Sequence, residues 1–86
     1  YTNPLRAKLI LFTSLFHTFD FSAQDWRSLK KYTLDDLIYR LFDTYTTIDE
    51  VDVNLTRSAY ALPNTEEQVP VLNTLLRAIS PYYPPS

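Results

Sequence analysis

The chain has 86 residues, of which 45% are hydrophobic and 15% aromatic, and it carries a formal net charge of −2. A chain of this length forms one domain and buries roughly 60–65% of its unfolded surface. It has no cysteine, which excludes disulfides and thiolate metal sites. It has no glycine, which excludes glycine-rich phosphate loops and disfavours tight β-hairpins. Its charge gives no general attraction to nucleic acid or anionic lipid.

A long apolar stripe predicts the first helix, which we expect to end at residues 20–21. Asn3 is a good N-cap, and Pro4 suits the first helical position because its missing N–H has no partner there anyway. The stripe recurs at steps of three and four, at Leu5, Leu9, Phe12, Phe16 and Phe19. So much apolar surface is typical of a central helix. The stripe is shorter than the ~20 residues of a membrane span.

Start signals predict two further helices. Ser22 and Asp25 open a short one that places Trp26, Leu29 and Tyr32 on one face. Thr33 and Asp36 form a capping-box-like pair at the start of the next helix, which extends to residue 45. In that helix the apolar residues recur with helical spacing at positions 34, 37, 38, 41, 42 and 45.

Two more helices complete the predicted fold. Thr47 starts one that reaches Pro63, although the alternation of residues 51–55 leaves a strand as the competing interpretation. Asn64 starts the last, in which Pro70 predicts either a kink or a separate helix. We therefore expect an all-α, compact bundle of four to five short helices over residues 1–80. Residues 81–86 form an extended Pro/Tyr-rich tail or linker.

The sequence offers little for chemistry. His17 is the single histidine, and only Asp20 lies near it in sequence, whereas zinc takes three or four protein ligands. The clustered acids fall in first turns, where the helix dipole favours them without any catalytic role. No nucleophile is paired with a base. We expect no metal, no cofactor and no enzyme activity.

Surface recognition is the remaining function. The outer face of the third helix carries Asp36, Tyr39, Arg40 and Asp43, and aromatic residues with arginine favour interfaces. We predict a protein–protein interaction or regulatory module, binding another protein or a second copy of itself. Because the chain begins with tyrosine and shows neither cysteine nor a signal peptide, we expect part of a larger cytoplasmic protein.

The alternative function is a small helical nucleic-acid-binding domain. Its anion-binding residues would be Arg27, Lys30 and Lys31, the one concentrated positive face. The helix after residue 47 argues against it, because three acids there would repel phosphate. Salt dependence separates the two functions, since phosphate binding weakens steeply as salt rises.

Overall fold

The computed structural model describes residues 4–84, which form five α-helices and one 3-10 turn. In chain order these are α1 Pro4–Leu15, α2 Ala23–Lys31, α3 Leu34–Thr44, α4 Ile48–Ala61, α5 Thr65–Ile79 and the turn η1 Ser80–Tyr82. The all-α prediction is confirmed for this part of the chain, and the strand interpretation of residues 51–55 is wrong. The radius of gyration, 12.1 Å, is close to the ~12 Å expected of a compact domain this size.

Helix α1 lies at the centre of the bundle. It contacts α2, α3, α4 and α5, and Ala7, Ile10 and Leu11 in it are fully buried. The other helices contribute Leu37, Leu41, Val51, Leu55 and Leu72 to the same core. Within residues 4–84 no helix combines the length and the apolar character needed to cross a membrane.

Helix α1 ends at Leu15, five or six residues before the predicted end at residues 20–21. After Leu15 the chain leaves the helix, and the backbone N–H of Phe19 donates to the Thr13 hydroxyl at 3.3 Å. The Phe19 ring is still buried, against the rings of Phe12 and Trp26. The apolar spacing extends beyond the helix because Phe19, in the loop that follows α1, also places its ring in the core. The predicted cap Asn3 lies outside the described residues.

Helices α2, α3 and α4 begin at the predicted caps. The hydroxyls of Ser22, Thr33 and Thr47 each accept the backbone N–H three residues on, at 3.1, 3.1 and 3.2 Å. Only two residues separate α2 from α3, the C-cap of the first and the N-cap of the second. These helix starts are fixed locally, as their sequence signals indicate.

Helix α5 is one continuous helix that contains Pro70, so the prediction of a separate helix is wrong. Its N-cap Asn64 has left-handed backbone angles, φ 59° and ψ 51°, and makes no side-chain cap bond. The Asn64 carbonyl instead accepts the N–H groups of Glu67 and Gln68, at 2.9 and 3.2 Å. Pro70 lies in the second turn, where its missing N–H leaves one helix hydrogen bond unmade.

The residues that follow α5 turn back onto the bundle. Ser80–Tyr82 form a 3-10 turn, and Tyr83 after it is extended, with φ −107° and ψ 145°. The Tyr83 ring packs against Phe42 with 5.5 Å between centroids. The tail predicted for 81–86 is therefore replaced at its start by a turn, and its residues 85–86 lie outside the described range.

Candidate functional site

A mostly apolar groove of about 320 Å³ lies between α3 on one side and the end of α5 with the turn η1 on the other. The two tyrosines that border it, Tyr39 and Tyr82, are 69% and 75% exposed. The remaining lining residues are Asp35, Ile38, Phe42, Ala78 and Ile79. We call this the Tyr39–Tyr82 groove. It presents two large aromatic side chains to solvent at one place.

The position of η1 depends on Tyr83. Its hydroxyl donates a hydrogen bond of 2.9 Å to the backbone carbonyl of Tyr45, at the end of α3. Phe42 contacts the rings of both Tyr82 and Tyr83, at 5.7 and 5.5 Å. Burial, with a smaller effect of the Glu50 charge, raises the pKa of Tyr83 above its ordinary value. These contacts fix η1, which carries Tyr82, to α3, which forms the opposite wall of the groove.

Asp36 and Asp43, the two acidic residues predicted to bind a partner, differ in whether their carboxylates already have a role in the fold. The Asp36 carboxylate accepts the backbone N–H of Thr33 at 3.0 Å, completing the capping box of α3. That hydrogen bond is the main cause that lowers the pKa of Asp36, and the Arg40 charge adds to it. Asp43 is exposed. Asp36 therefore serves first to start the helix, while Asp43 faces solvent.

Arg40 lies on the other side of the exposed face of α3. Its guanidinium carbon is 4.9 Å from the ring centroid of Tyr32 and 5.9 Å from that of Phe16. The two rings stack on each other, with centroids 5.5 Å apart and an angle of 28°. Cation–π contacts of this kind hold the arginine in place. Of the predicted partner-binding residues, Tyr39 therefore borders the groove, while the Arg40 guanidinium lies against Phe16 and Tyr32, the residues that directly follow α1 and α2.

The alternative anion-binding residues, Arg27, Lys30 and Lys31, are all exposed on α2. Among residues 4–84 no carboxylate lies within salt-bridge distance of any of the three. Arg40 stacks on Tyr32, which directly follows Lys31, so a fourth positive charge is near the end of this helix. The Arg40 charge also acts on Asp36 of α3, whose pKa it helps to lower.

His17 binds Asp25 rather than Asp20. Its Nε2 lies 3.0 and 3.1 Å from the two carboxylate oxygens of Asp25, whose side chain is 8% exposed. Asp25 also accepts the backbone N–H of Asp20 at 3.0 Å. A hydrogen bond from Ser22 is the main cause that lowers the pKa of Asp20. These contacts close the loop between α1 and α2, and the described residues contain no cluster of three metal-ligating side chains.

Tyr82 is the residue of this site that the sequence did not identify. The sequence predicted that Tyr82 lies in an extended tail. The turn η1 instead brings the centroid of its ring to 5.7 Å from that of Phe42. The signal available was the pair of tyrosines immediately after a helix whose end carries Ile79.

Comparison of the chain with protein-family models, curated proteins and solved structures gives no match.

Proposed function

We propose that this chain is a non-catalytic protein-interaction module that binds a partner protein at the Tyr39–Tyr82 groove. The observation that carries the proposal is the pairing of two tyrosines, each more than two-thirds exposed, around an apolar floor. Tyrosine combines a large apolar area with a hydroxyl, and it is enriched in interfaces for that reason. A groove of this type accepts side chains from one face of a helix or peptide.

The charges around the groove indicate the chemistry of the partner. Asp35 lines it, no basic side chain does, and Asp36 and Asp43 lie on the same helix. A segment with apolar side chains and a nearby lysine or arginine complements this surface. The partner we propose is therefore a basic amphipathic segment of another protein. If the partner is instead a second copy of this chain, the isolated chain should form a dimer, which a measurement of its oligomeric state detects.

The proposal is tested by selecting peptides from a random displayed library on the immobilised chain. We expect enriched peptides to combine Leu, Ile or Phe with Lys or Arg. They should bind the wild type and lose at least tenfold in affinity for the double variant Tyr39→Ala/Tyr82→Ala. Tyr60→Ala is the matched control, because Tyr60 is 61% exposed on α4 and does not line the groove. It should bind like the wild type.

Two results would contradict the proposal. Peptides that bind the double variant as well as the wild type would place the binding surface elsewhere. Enrichment of acidic peptides would show that the charge argument selects the wrong partner. Circular dichroism of both variants should match the wild type, since all three tyrosines are mainly solvent-exposed and their truncation leaves the core intact.

One observation favours nucleic acid as the second candidate. Arg27, Lys30, Lys31 and Arg40 take part in none of the salt bridges of residues 4–84, and the stacked rings of Tyr32 and Phe16 lie beside Arg40. The net charge of −2 weighs against it. If this second candidate is right, a fluorescent single-stranded oligonucleotide should bind at about 50 mM salt and lose its binding at about 200 mM. That salt dependence is expected when a few phosphate groups are contacted.

A further inference from the structure

Three aromatic side chains line the Tyr39–Tyr82 groove and follow one another along it. Tyr39 and Phe42 are three residues apart on α3, so their side chains are neighbours on one face of the helix. The centroid of the Phe42 ring lies 5.7 Å from that of Tyr82, with 44° between the ring planes. Because both tyrosines are more than two-thirds exposed, most of their ring surface is accessible to a ligand.

One carboxylate joins this aromatic lining. Asp35 precedes Tyr39 by four residues, so it lies on the same face of α3, one turn nearer the start of the helix. Asp35 is exposed, and its carboxylate takes part in none of the hydrogen bonds or salt bridges of residues 4–84. Within the same residues, no lysine or arginine lines the groove. The groove therefore combines a negative charge with a mostly apolar, aromatic surface.

This combination favours a cation as the bound group. The face of an aromatic ring carries negative potential, and a cation within ~6 Å of the ring centroid is attracted to it. Proteins bind quaternary ammonium groups by placing several such rings around one charge. An anion would be repelled by Asp35, and an uncharged group would leave the Asp35 charge without a partner.

The scarcity of acceptors in the groove selects the type of cation. A lysine ammonium carries three N–H donors and an arginine guanidinium carries five. Asp35 is the one anionic acceptor in the lining, and a donor that leaves water without finding an acceptor weakens binding. A trimethylammonium group has no N–H, presents methyl groups to the rings and keeps its charge. It is therefore the cation that matches aromatic rings and a single carboxylate.

The size of the groove indicates what carries this group. An apolar cavity of ~150 Å³ holds benzene, which is close in size to a trimethylammonium group. The groove measures about 320 Å³. The additional space accommodates the methylene chain of a lysine side chain.

We propose that the Tyr39–Tyr82 groove binds the trimethylammonium group of a methylated lysine in the partner protein. The inference rests on the function proposed above and names the partner side chain that enters the groove. The methyl groups pack against the rings of Tyr39, Phe42 and Tyr82, and the Asp35 carboxylate balances the charge.

The proposal is tested with the full chain by NMR titration, using blocked amino acids as probes. N-acetyl-trimethyllysine methylamide should produce saturable shifts of the ring protons of Tyr39 and Tyr82. Two probes of related shape isolate the cause. The analogue in which carbon replaces the charged nitrogen has no charge, and the unmethylated lysine derivative has no methyl groups. Each should bind about fivefold more weakly, since the cation–π attraction or the fit to the rings is lost.

Two further probes identify the source of the group. Free choline carries the same trimethylammonium group without the lysine chain, so it should bind more weakly than the trimethyllysine derivative. Phosphatidylcholine vesicles present the group on a lipid surface and should not bind the chain. Equal or tighter binding of either probe would overturn the assignment to a lysine side chain.

Variants locate the probe in the groove. Asp35→Asn keeps the side-chain size and should lower the affinity for the trimethyllysine derivative at least threefold. Asp49→Asn is its matched control, because Asp49 is the second residue of α4, as Asp35 is of α3, and is exposed outside the groove. Tyr39→Ala/Tyr82→Ala should abolish the shifts, whereas Tyr60→Ala should bind the probe like the wild type.

Three results would overturn the proposal. They are the lack of saturable shifts up to millimolar probe, equal binding of the trimethyllysine derivative and its uncharged analogue, and unchanged binding by Asp35→Asn. The function proposed above fails separately. If library peptides bind the groove but gain nothing when their lysine is trimethylated, the partner surface is retained and this inference is rejected. If the probe binds but no peptide is enriched, the cation site is retained and the basic amphipathic partner is rejected.

Discussion

The hydroxyl of Tyr83 donates a 2.9 Å hydrogen bond to the backbone carbonyl of Tyr45, across 38 positions of sequence. Tyr45 in turn donates its own hydroxyl to the Ser14 carbonyl at the end of α1, at 3.0 Å. The two bonds connect the end of the described chain to α3 and then to the central helix. The position of η1, and with it the groove, depends on this connection.

Tyr83→Phe removes the first of these bonds and keeps the ring. We expect a loss of about 1 kcal/mol in the free energy of unfolding, measured by urea denaturation. Peptides selected on the groove should also bind more weakly, because Tyr82 loses its fixed position. Tyr60→Phe is the control and should leave both measurements unchanged. Equal stability of Tyr83→Phe and the wild type would show that the bond does not hold η1.

Alkaline pH should weaken the same connection. The pKa of Tyr83 is raised above its ordinary value of 10.0, so the unfolded chain loses this proton first. The contribution of Tyr83 to stability is then complete below pH 10 and is lost as the pH rises through the folded-state pKa. The stability difference between the wild type and Tyr83→Phe should therefore shrink above pH 10. A difference that grows with pH would contradict the assigned direction.

The capping box of α3 predicts a response to acid. Thr33→Ala should cost about 1 kcal/mol in the free energy of unfolding at neutral pH. The pKa of Asp36 is lowered from 3.8, so its stabilisation is present above that value and is lost as the pH falls through the folded-state pKa. Asp36→Asn should therefore be less stable than the wild type at pH 7, and the difference should shrink as the pH falls below 3.8. Asp35→Asn, which lacks the Thr33 bond, is the control.

The α1–α2 loop should depend more on Asp25 than on His17. Asp25→Ala leaves the Asp20 N–H without its acceptor, at a cost of about 1–3 kcal/mol. The His17 side chain is 60% exposed, and His17→Ala removes its hydrogen bond to Asp25, which should cost about 1 kcal/mol. Asp43→Ala, at an exposed carboxylate, should change stability little. Thermal unfolding of the three variants at pH 7 measures their relative losses of stability. A larger loss for His17→Ala than for Asp25→Ala would contradict the prediction.

Pro70→Ala should stabilise the chain. The proline lies inside α5, where its ring crowds the preceding turn and its missing N–H leaves the Glu66 carbonyl without a helix partner. Alanine restores that bond, although it also gives the unfolded chain more freedom, which offsets about 0.4–1 kcal/mol. We expect a net gain of about 1–2 kcal/mol by urea denaturation. A loss of stability would mean that the proline is required for the shape of α5.

Local signals in the sequence predicted the starts of α2, α3 and α4 well. Ser22, Thr33 and Thr47 act on N–H groups three residues away, so nothing distant is needed to place them. The end of α1 could not be found this way. The Phe19 ring enters the core from a loop, and its burial depends on Trp26 in another helix.

The candidate surfaces were predicted only in part, for the same reason. Tyr39 was identified from its position on a helix, but the second wall of its groove depends on a hydrogen bond between residues 38 positions apart. The contact of the Arg40 guanidinium with Tyr32 and Phe16 was not predicted, because a backbone pattern does not show where a long side chain turns. None of these relationships has a short-range signature.

The junction between α2 and α3 consists of Tyr32 and Thr33 alone. One extra residue there would turn α3 by about 100° about its own axis, given 3.6 residues per turn. Leu37 and Leu41 would rotate out of the interior, and Tyr39 would swing away from Tyr82. The direction in which α3 presents Tyr39 is therefore set by the length of a two-residue connection.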